Sequence, residues 1–232
     1  MDKKFIVVKG VSRGLGLGLM EKLSAQSNAQ VIGSIRNLKK APNLDAPNIQ
    51  FLECEISSEK SRNAFMKEVL KIFPRVDVLV NNAGVFLDDQ DKADETALNG
   101  KLQTIRDSFE INTLAPFHFI QSLLPGMIER NFGRIVNVSS GMGQLSEMGA
   151  GYPSYRISKT ALNCVTKFFA SEVKGKNILV NSICPGWVRT DMGGVNAERS
   201  IEQGIAGIYW AMNLKEGDVS GTFHRDGRSL SW

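Results

Sequence analysis

The chain has 232 residues, with 28 Lys plus Arg against 24 Asp plus Glu and a net charge of +4. This length fits one domain with one buried core, and the scattered basic residues argue against a nucleic-acid-binding protein. The longest apolar run, "FIVV" at 5–8, is too short to span a membrane, so we expect a cytoplasmic protein with no membrane partner. Cys54, Cys164 and Cys184 are widely spaced and lack a C-x-x-C pattern, which predicts reduced thiols and no zinc site.

Short apolar runs that favour β-strands alternate with longer segments of helical period. The predicted strands cover 4–8, 29–35, 48–54, 76–81, 133–139, 178–184 and, as a last short strand, 220–224. The predicted helices cover 15–27, 37–43, 58–73, 102–130, 154–174 and 197–213. The polar segment 86–101 is predicted to be a loop. Continuous apolar strands are typical of parallel sheets covered on both sides, so we predict an α/β fold with a doubly wound parallel sheet and helices on both faces.

The segment "YPSYRISK" at 152–159 places Tyr155 and Lys159 four residues apart at the start of a predicted helix. At this spacing two side chains lie one above the other on the same helix face. A phenol with a pKa of about 10 is a weak acid at neutral pH, and a neighbouring ammonium lowers that pKa. The pair can therefore move a proton. On this motif alone, a surface helix with a solvated lysine remains the alternative.

The first predicted strand runs into the glycine-rich segment "KGVSRGLGLG", in which Gly10, Gly14 and Gly16 open a helix. Glycine permits positive φ, and without a Cβ it lets the backbone approach a pyrophosphate. The N-terminus of the following helix favours that negative charge. The segment therefore indicates a dinucleotide site, with a glycine-rich turn that binds no ligand as the alternative.

The end of the second predicted strand bears on the choice between NAD and NADP. A carboxylate about twenty residues after the glycines holds the ribose of NAD, whereas an arginine suits the 2′-phosphate of NADP. Here Ile35 is followed by Arg36, and Arg13 lies within the glycine segment. Two guanidinium groups can hold a phosphate through charge-assisted contacts. The sequence thus favours NADP(H) over NAD, with solvated surface arginines as the alternative.

Together these motifs resemble the short-chain dehydrogenase/reductase family over nearly the whole chain. "GVSRGLG" at 10–16 resembles its cofactor loop, "NNAG" at 81–84 its signature after a strand, and "YRISK" at 155–159 its active-site motif. "CPGWVRTDM" at 184–192 is similar to its Pro-Gly motif, and the C-terminal half resembles the carbonyl-reductase-like branch. The resemblance implies a single Rossmann-type NAD(P)-binding catalytic domain over 1–232. It would use NADPH to reduce an aldehyde, ketone or quinone, or catalyse the reverse oxidation of an alcohol.

Carried onto this sequence, the resemblance implies a catalytic tetrad of Asn112, Ser140, Tyr155 and Lys159. Tyr155 would give a proton to the carbonyl oxygen and Ser140 would hydrogen-bond to it. Lys159 would lower the pKa of Tyr155 and bind the nicotinamide ribose, while Asn112 would hold a water molecule. Ser139 competes with Ser140, but strand alternation allows only one of the two to face the site. Ser140 is preferred because "GMG" follows it, as in the family pattern.

The same resemblance implies a set of cofactor contacts. Positions after the third strand match adenine contacts, those of "NNAG" match ribose contacts, and those after the sixth strand match nicotinamide contacts. For "NNAG", a purely structural role in which an Asn side chain ties neighbouring strands is an equal alternative. The full set is Gly10, Ser12, Arg13, Gly14, Leu15, Gly16, Arg36, Glu55, Ile56, Asn82, Ala83, Gly84, Tyr155, Lys159, Pro185, Gly186, Val188 and Thr190.

Lys9 departs from the family pattern, which has a threonine before the first glycine. The threonine hydroxyl would help to organise the loop. Lys9 is therefore expected either to add positive charge near the cofactor phosphates or to point into solvent.

Other residues bear on metal binding and on the substrate. His118 and His224 lack a second ligand at metal spacing, so no metal site is predicted and structural or surface roles are expected. Apolar residues near the expected pocket would suit a hydrophobic carbonyl substrate, with plain packing of these side chains as the alternative. These residues are Met142, Met148, Trp187, Met192 and Met212.

The interval between Ser140 and Tyr155 lacks the insertion that the resemblance associates with monomeric carbonyl reductases. The helices predicted at 102–130 and 154–174 are therefore expected to pack in a homodimer or homotetramer. Two other functions are compatible with the sequence. One is a regulatory protein that binds NADP(H) without useful turnover, and the other is an NAD-linked enzyme, which Arg36 disfavours.

Overall fold

The computed structural model describes residues 3–88 and 96–232. Within these residues the strands are β1 (Lys4–Lys9), β2 (Ala29–Ile35), β3 (Ile49–Glu53), β4 (Val78–Asn81), β5 (Gly133–Val138), β6 (Ile178–Ile183), β7 (Phe223–Arg225) and β8 (Arg228–Leu230). The α-helices are α1 (Gly14–Ser24), α2 (Glu59–Ile72), α3 (Leu102–Phe109), α4 (Ala115–Glu129), α5 (Pro153–Glu172) and α6 (Ile201–Met212). A π-helical turn, Glu110–Leu114, joins α3 to α4.

The strands form one sheet in the order β3-β2-β1-β4-β5-β6-β7-β8. All neighbours are parallel except β7 and β8, which pair as an antiparallel hairpin at the edge. β2 and β3 lie on one side of β1 in the sheet, and β4 with the strands that follow it lies on the other side. The switch point between β1 and β4 opens a crevice at the carboxyl ends of the strands, where ligands bind in such sheets.

The helices cover both faces of the sheet. On one face α2, α4 and α5 pack against the strands, and on the other face α1 and α6 do so. Every residue of β4, β5 and β6 is buried. This burial explains their continuous apolar runs, because a strand covered on both faces has no solvent side for polar residues. The predicted α/β doubly wound fold is confirmed.

Apart from shifted ends, such as that of β7, which begins at Phe223 rather than at residue 220, three elements differ from the prediction. The helix predicted at 37–43 is only a 3₁₀ turn, Leu38–Lys40, because Ala41 is extended ahead of Pro42. The helix predicted at 102–130 is interrupted by the π-helical turn. β8 was not predicted, although the Asp-Gly pair before it, with both residues at positive φ, is a strong hairpin signal.

The loop predicted at 86–101 falls partly outside the described residues, since 89–95 are not described. Its described part after this gap contains a turn at 97–99. No described helix combines the length and the apolar character needed to cross a bilayer.

Candidate active site

A cleft of about 1230 Å³ opens at the carboxyl ends of the central strands. It is large enough for a dinucleotide together with a small substrate. Of the residues predicted for the site, all but Gly16 and Asn112 line it. The lining members are Gly10, Ser12, Arg13, Gly14, Leu15, Arg36, Glu55, Ile56, Asn82, Ala83, Gly84, Ser140, Tyr155, Lys159, Pro185, Gly186, Val188 and Thr190.

The glycine loop packs too closely on its neighbours to accept larger residues. Gly10 has a φ of +73°, and a Cβ there would lie 2.7 Å from the Cβ of Ala83. Gly16 lies beneath the cleft, where a Cβ would collide with the carbonyl oxygen of Gly10. Asn82 donates from Nδ2 to that same oxygen at 2.8 Å. Gly16 therefore keeps α1 close to the loop, and "NNAG" ties the loop to β4 while also lining the cleft.

Tyr155 lies in the first turn of α5, with its side chain in the cleft. Its ring packs edge-on against Phe86, with 4.6 Å between ring centroids. Burial raises the pKa of Tyr155 to about 12, against a smaller lowering from a hydrogen bond with the Ser140 side chain. The pKa of Tyr155 is therefore raised, which is opposite to the lowering expected from Lys159, because desolvation of the phenolate outweighs its favourable contacts.

Lys159 lies one turn further along α5 and is buried. Its Nζ donates to the carbonyl oxygen of Val138 at 2.9 Å and lies 5.6 Å from the centre of the Tyr155 ring. Burial lowers the pKa of Lys159 to about 8. An ammonium held at this position is more easily deprotonated than one in water, so it can take part in proton movement near neutral pH.

The two serines after β5 have different environments. Ser140 begins a short 3₁₀ turn and its Oγ accepts a hydrogen bond from the Met142 N–H at 3.1 Å. Ser139 is buried, and its Oγ has no hydrogen-bond partner among the described residues. Both serines line the cleft, so the expectation that only one of them faces it is wrong, because both follow the last residue of β5, where strand alternation no longer applies. Of the two, it is the Ser140 side chain that lowers the pKa of Tyr155.

Asn112 lies behind the cleft, in the π-helical turn. Its Nδ2 donates to the Val85 carbonyl oxygen and to Ser158 Oγ, both at 2.9 Å, and its Oδ1 accepts from the Val85 N–H at 2.8 Å. These bonds fix the segment after "NNAG" against α5. A π-helical turn inside a longer helix is a common feature of functional sites, since it turns one side chain out of the regular helix register.

Asp88 is a positioning residue that the sequence analysis did not single out. It is buried, and its carboxylate accepts hydrogen bonds from the Ser154 N–H, the Ser154 hydroxyl and the Tyr155 N–H, at 3.0, 2.6 and 2.9 Å. These groups belong to the first turn of α5, where backbone N–H groups have no partner within the helix. Asp88 thus holds the end of the helix that carries Tyr155.

We expect Asp88→Ala to lower the free energy of unfolding by about 1–3 kcal/mol, because buried donors of α5 lose their acceptor. The variant is also expected to lower kcat, because Tyr155 loses a fixed backbone. Urea denaturation and steady-state kinetics measure the two effects. Asp45→Ala, at an exposed position, is the control. Equal stability and equal kcat in the two variants would contradict this role.

Both arginines predicted for phosphate binding pair with carboxylates. Arg13 Nη1 lies 2.7 Å from Asp191, across the cleft, and Arg36 Nε lies 3.3 Å from Glu55. The side chains of Arg13 and Arg36 are 74% and 78% exposed, so these pairs contribute little to stability. A phosphate group can therefore displace the carboxylates at little cost.

The Lys9 side chain occupies neither of the two positions predicted for it. It is 2% exposed and does not line the cleft, and its Nζ lies over the ring of Phe119 on the opposite side of β1. Burial lowers the pKa of Lys9 well below its usual value, an effect that Arg62 strengthens and Cys54 opposes. Both expectations for Lys9 are therefore wrong, because this side chain enters the core between the sheet and α4.

Several large apolar side chains line the cleft. Met142, Trp187 and Met192 line it as predicted, whereas Met148 is exposed and Met212 lies in the core, so neither borders the pocket.

His118 accepts a hydrogen bond from Arg62, and His224 bonds to Thr222. Neither histidine lines the cleft. The described residues contain no group of three or more His, Cys, Asp or Glu side chains placed to hold a metal ion.

Known proteins resemble this chain in sequence and in fold. The 3-oxoacyl-(acyl-carrier-protein) reductase FabG of Aquifex aeolicus is 32% identical over 204 residues, which cover 85% of this chain and 79% of that protein. The NADPH-bound carbonyl reductase from chicken fatty liver superposes with a TM-score of 0.89 at 27% identity, covering 100% of this chain and 95% of that one. Carbonyl reductase Sniffer of D. melanogaster gives a TM-score of 0.87 at 26% identity, with coverage of 99% and 100%.

The sequence model of the short chain dehydrogenase family matches residues 4–200. This range begins with β1 and includes the glycine loop, "NNAG", Ser140 and the Tyr155–Lys159 pair. The chain therefore belongs to the short-chain dehydrogenase/reductase family of oxidoreductases, as its motifs predicted.

Proposed function

We propose that this protein is an NADPH-dependent carbonyl reductase, which reduces an aldehyde, ketone or quinone to an alcohol and can catalyse the reverse reaction. The observation that carries the proposal is that Tyr155 and Ser140 line one cleft together with Lys159 and the glycine loop. This arrangement puts a proton donor and a second hydrogen-bond donor at the same point of the cleft. Such a pair suits a carbonyl oxygen that gains negative charge.

The residues of the chain act on the oxygen of the substrate. Tyr155 donates its proton to the carbonyl oxygen as the oxygen becomes an alkoxide, and the Ser140 hydroxyl donates a hydrogen bond to the same atom. Lys159 stabilises the phenolate left on Tyr155, and its nearby ammonium helps to return a proton. NADPH, when bound, supplies the hydride for the carbonyl carbon. Met142, Trp187 and Met192 hold an apolar substrate body and limit the access of water.

The cleft suits NADP(H). Glycines without side chains leave room for the pyrophosphate, which the N-terminus of α1 favours electrostatically. Arg13 and Arg36, both exposed and at the adenosine end, are placed to take a 2′-phosphate in exchange for their present carboxylate partners. The structural similarity to an NADPH-bound carbonyl reductase supports this choice.

We expect Arg36→Ala to lower the ratio of kcat/KM for NADPH to kcat/KM for NADH by about 10- to 100-fold, the value of one or two charge-assisted hydrogen bonds. Steady-state kinetics with both cofactors measure this ratio. Lys39→Ala is the matched control, because Lys39 is an exposed cation in the same segment that does not line the cleft. An unchanged ratio in Arg36→Ala would show that Arg36 does not select the phosphate.

The proposed activity is tested by following the reduced-nicotinamide absorbance band with NADPH and a panel of aldehydes, ketones and quinones. We expect substrate-dependent loss of this band with NADPH and a much slower loss with NADH. Tight binding of NADPH without turnover of any carbonyl compound would favour a regulatory protein instead. Faster turnover with NADH would contradict the proposed role of Arg13 and Arg36.

We also propose that the protein forms a homodimer or homotetramer through α3, α4 and α5. Leu114, Ile157 and Phe168, in or next to these helices, are 43%, 47% and 52% exposed. Exposed large apolar side chains, where they join into one patch, are typical of an interface between subunits. Light scattering at working concentration is expected to give a mass of two or four chains. A monomeric mass would contradict this assembly.

A further inference from the structure

Arg225, the last residue of β7, reaches the catalytic end of the cleft. It lines the cleft together with Ser140 and Tyr155. Its Nη2 lies only 2.7 Å from the position that a Cβ on Gly141 would occupy, and Gly141 directly follows Ser140. The guanidinium group is therefore next to the residues proposed to act on the carbonyl oxygen.

The hydrogen-bonding capacity of Arg225 is incompletely used. Nε and Nη2 donate to Cys184 Sγ at 3.3 and 3.0 Å, and a thiol sulfur is a weak acceptor. The neighbouring carboxylate, Asp226, is engaged by Arg199 in two hydrogen bonds of 2.8 and 2.6 Å. Within the described part of the chain, no carboxylate lies within ion-pair distance of Arg225, and Nη1 donates to no residue.

Cys184 does not depend on Arg225 for its position. Its Sγ also accepts hydrogen bonds from the Gly141 and Gly186 N–H groups at 3.1 and 3.4 Å. The backbone on both sides thus fixes the sulfur. A ligand with a stronger acceptor can therefore accept hydrogen bonds from the Arg225 guanidinium in place of Cys184. The Cys184 Sγ would still be bonded to the two backbone N–H groups.

The charges along the cleft leave the catalytic end positive. The acidic residues that line the described cleft are Glu55 and Asp191, and each is paired with an arginine, Arg36 or Arg13. The catalytic end instead contains Lys159 and Arg225 among apolar side chains. A cation in apolar surroundings attracts an anion more strongly than one in water.

We propose that Arg225 is an anion subsite for the substrate, so that the enzyme prefers carbonyl compounds that carry a carboxylate on an apolar body. This inference rests on the proposed reductase function and names its substrate class. The planar guanidinium group matches a carboxylate through two parallel hydrogen bonds, which fixes the orientation of the substrate as well as its affinity. The carbonyl end of the same molecule then meets Ser140 and Tyr155.

The test compares meta- and para-carboxybenzaldehyde with their methyl esters, which have nearly the same shape and no charge. The wild-type enzyme with NADPH is expected to show a kcat/KM about 10- to 100-fold higher for at least one acid than for its ester, the value of a charge-assisted pair. Arg225→Met is expected to lower this acid-to-ester ratio by the same factor. Arg225→Lys, which keeps the charge but not the planar fork, is expected to fall between them.

Arg228→Met is the matched control, because Arg228 is an exposed arginine on β8 that does not line the cleft. It is expected to keep both rates and their ratio.

A wild-type enzyme that reduces the esters but shows no preference for either acid would overturn the inference and leave the reductase function standing. An equal loss for acid and ester in Arg225→Met, with an unchanged ratio, would also overturn it and give Arg225 a structural role. A wild type that reduces neither acid nor ester, nor any compound of the broader panel, would overturn the proposed function and with it this inference.

Discussion

Tyr155→Phe is expected to lower kcat for carbonyl reduction by about 10²- to 10⁴-fold, the usual contribution of a positioned general acid. The substitution removes the hydroxyl but keeps the ring, which packs on Phe86. The cleft should therefore retain its shape and still bind NADPH. Stopped-flow or steady-state kinetics with one good aldehyde, together with NADPH titration by fluorescence, measure the two properties separately.

Tyr152→Phe is a stringent control for this prediction. Tyr152 is three residues away, and its ring also packs edge-on against Phe86, with 5.1 Å between centroids. The same chemical change at this site is expected to leave kcat close to that of the wild type. If Tyr155→Phe turned over like Tyr152→Phe, the proton donor would have to be another group.

Lys9→Met is expected to raise the free energy of unfolding at neutral pH by about 1–4 kcal/mol, the range found when buried ion pairs are replaced by apolar residues of similar volume. Lys9 is buried against Phe119 and Phe65, and its pKa is lowered chiefly by desolvation. A methionine has a similar length and a thioether that packs well on aromatic rings. Urea denaturation of wild type and variant measures the difference.

The pH dependence of this gain has a definite sign. The pKa of Lys9 is lower in the folded protein than its usual value of 10.5, so the unfolded chain binds more protons between the two values. The wild type therefore gains stability as the pH rises toward 10.5, and the advantage of Lys9→Met shrinks over the same range. Lys67→Met, at an exposed position on α2, is expected to show neither effect. A destabilised Lys9→Met, or an advantage that grows with pH, would contradict this view of Lys9.

The elements that the sequence predicted well are those set by local patterns. Buried parallel strands such as β5 and β6 are recognisable because every position must be apolar or internally bonded. The π-helical turn at Glu110–Leu114 has no comparable local signal. It depends on the bonds that Asn112 makes to Val85 and Ser158, which are distant in sequence.

The residues of the candidate site that belong to sequence motifs could be predicted. Those that reach the site only through contacts between distant segments could not. Asp88 lies in a polar segment without periodicity, and only the fold shows that it caps α5. Arg225 precedes a hairpin turn, and its place beside Gly141 follows from the pairing of β7 with β6. The pKa of Tyr155 was expected to fall, but burial raises it, and burial of a single side chain cannot be derived from spacing.

The proposed function depends on hydride transfer to a carbonyl carbon in the cleft that contains Tyr155. The most direct measurement uses NADPH with deuterium at the transferable position of the nicotinamide, together with an aldehyde that the wild type consumes, and analyses the product by mass spectrometry. We expect an alcohol with one deuterium on the carbinol carbon, formed by the wild type and by Tyr152→Phe but only in trace amounts by Tyr155→Phe. An alcohol without deuterium, or oxidation of the cofactor without any alcohol, would contradict it.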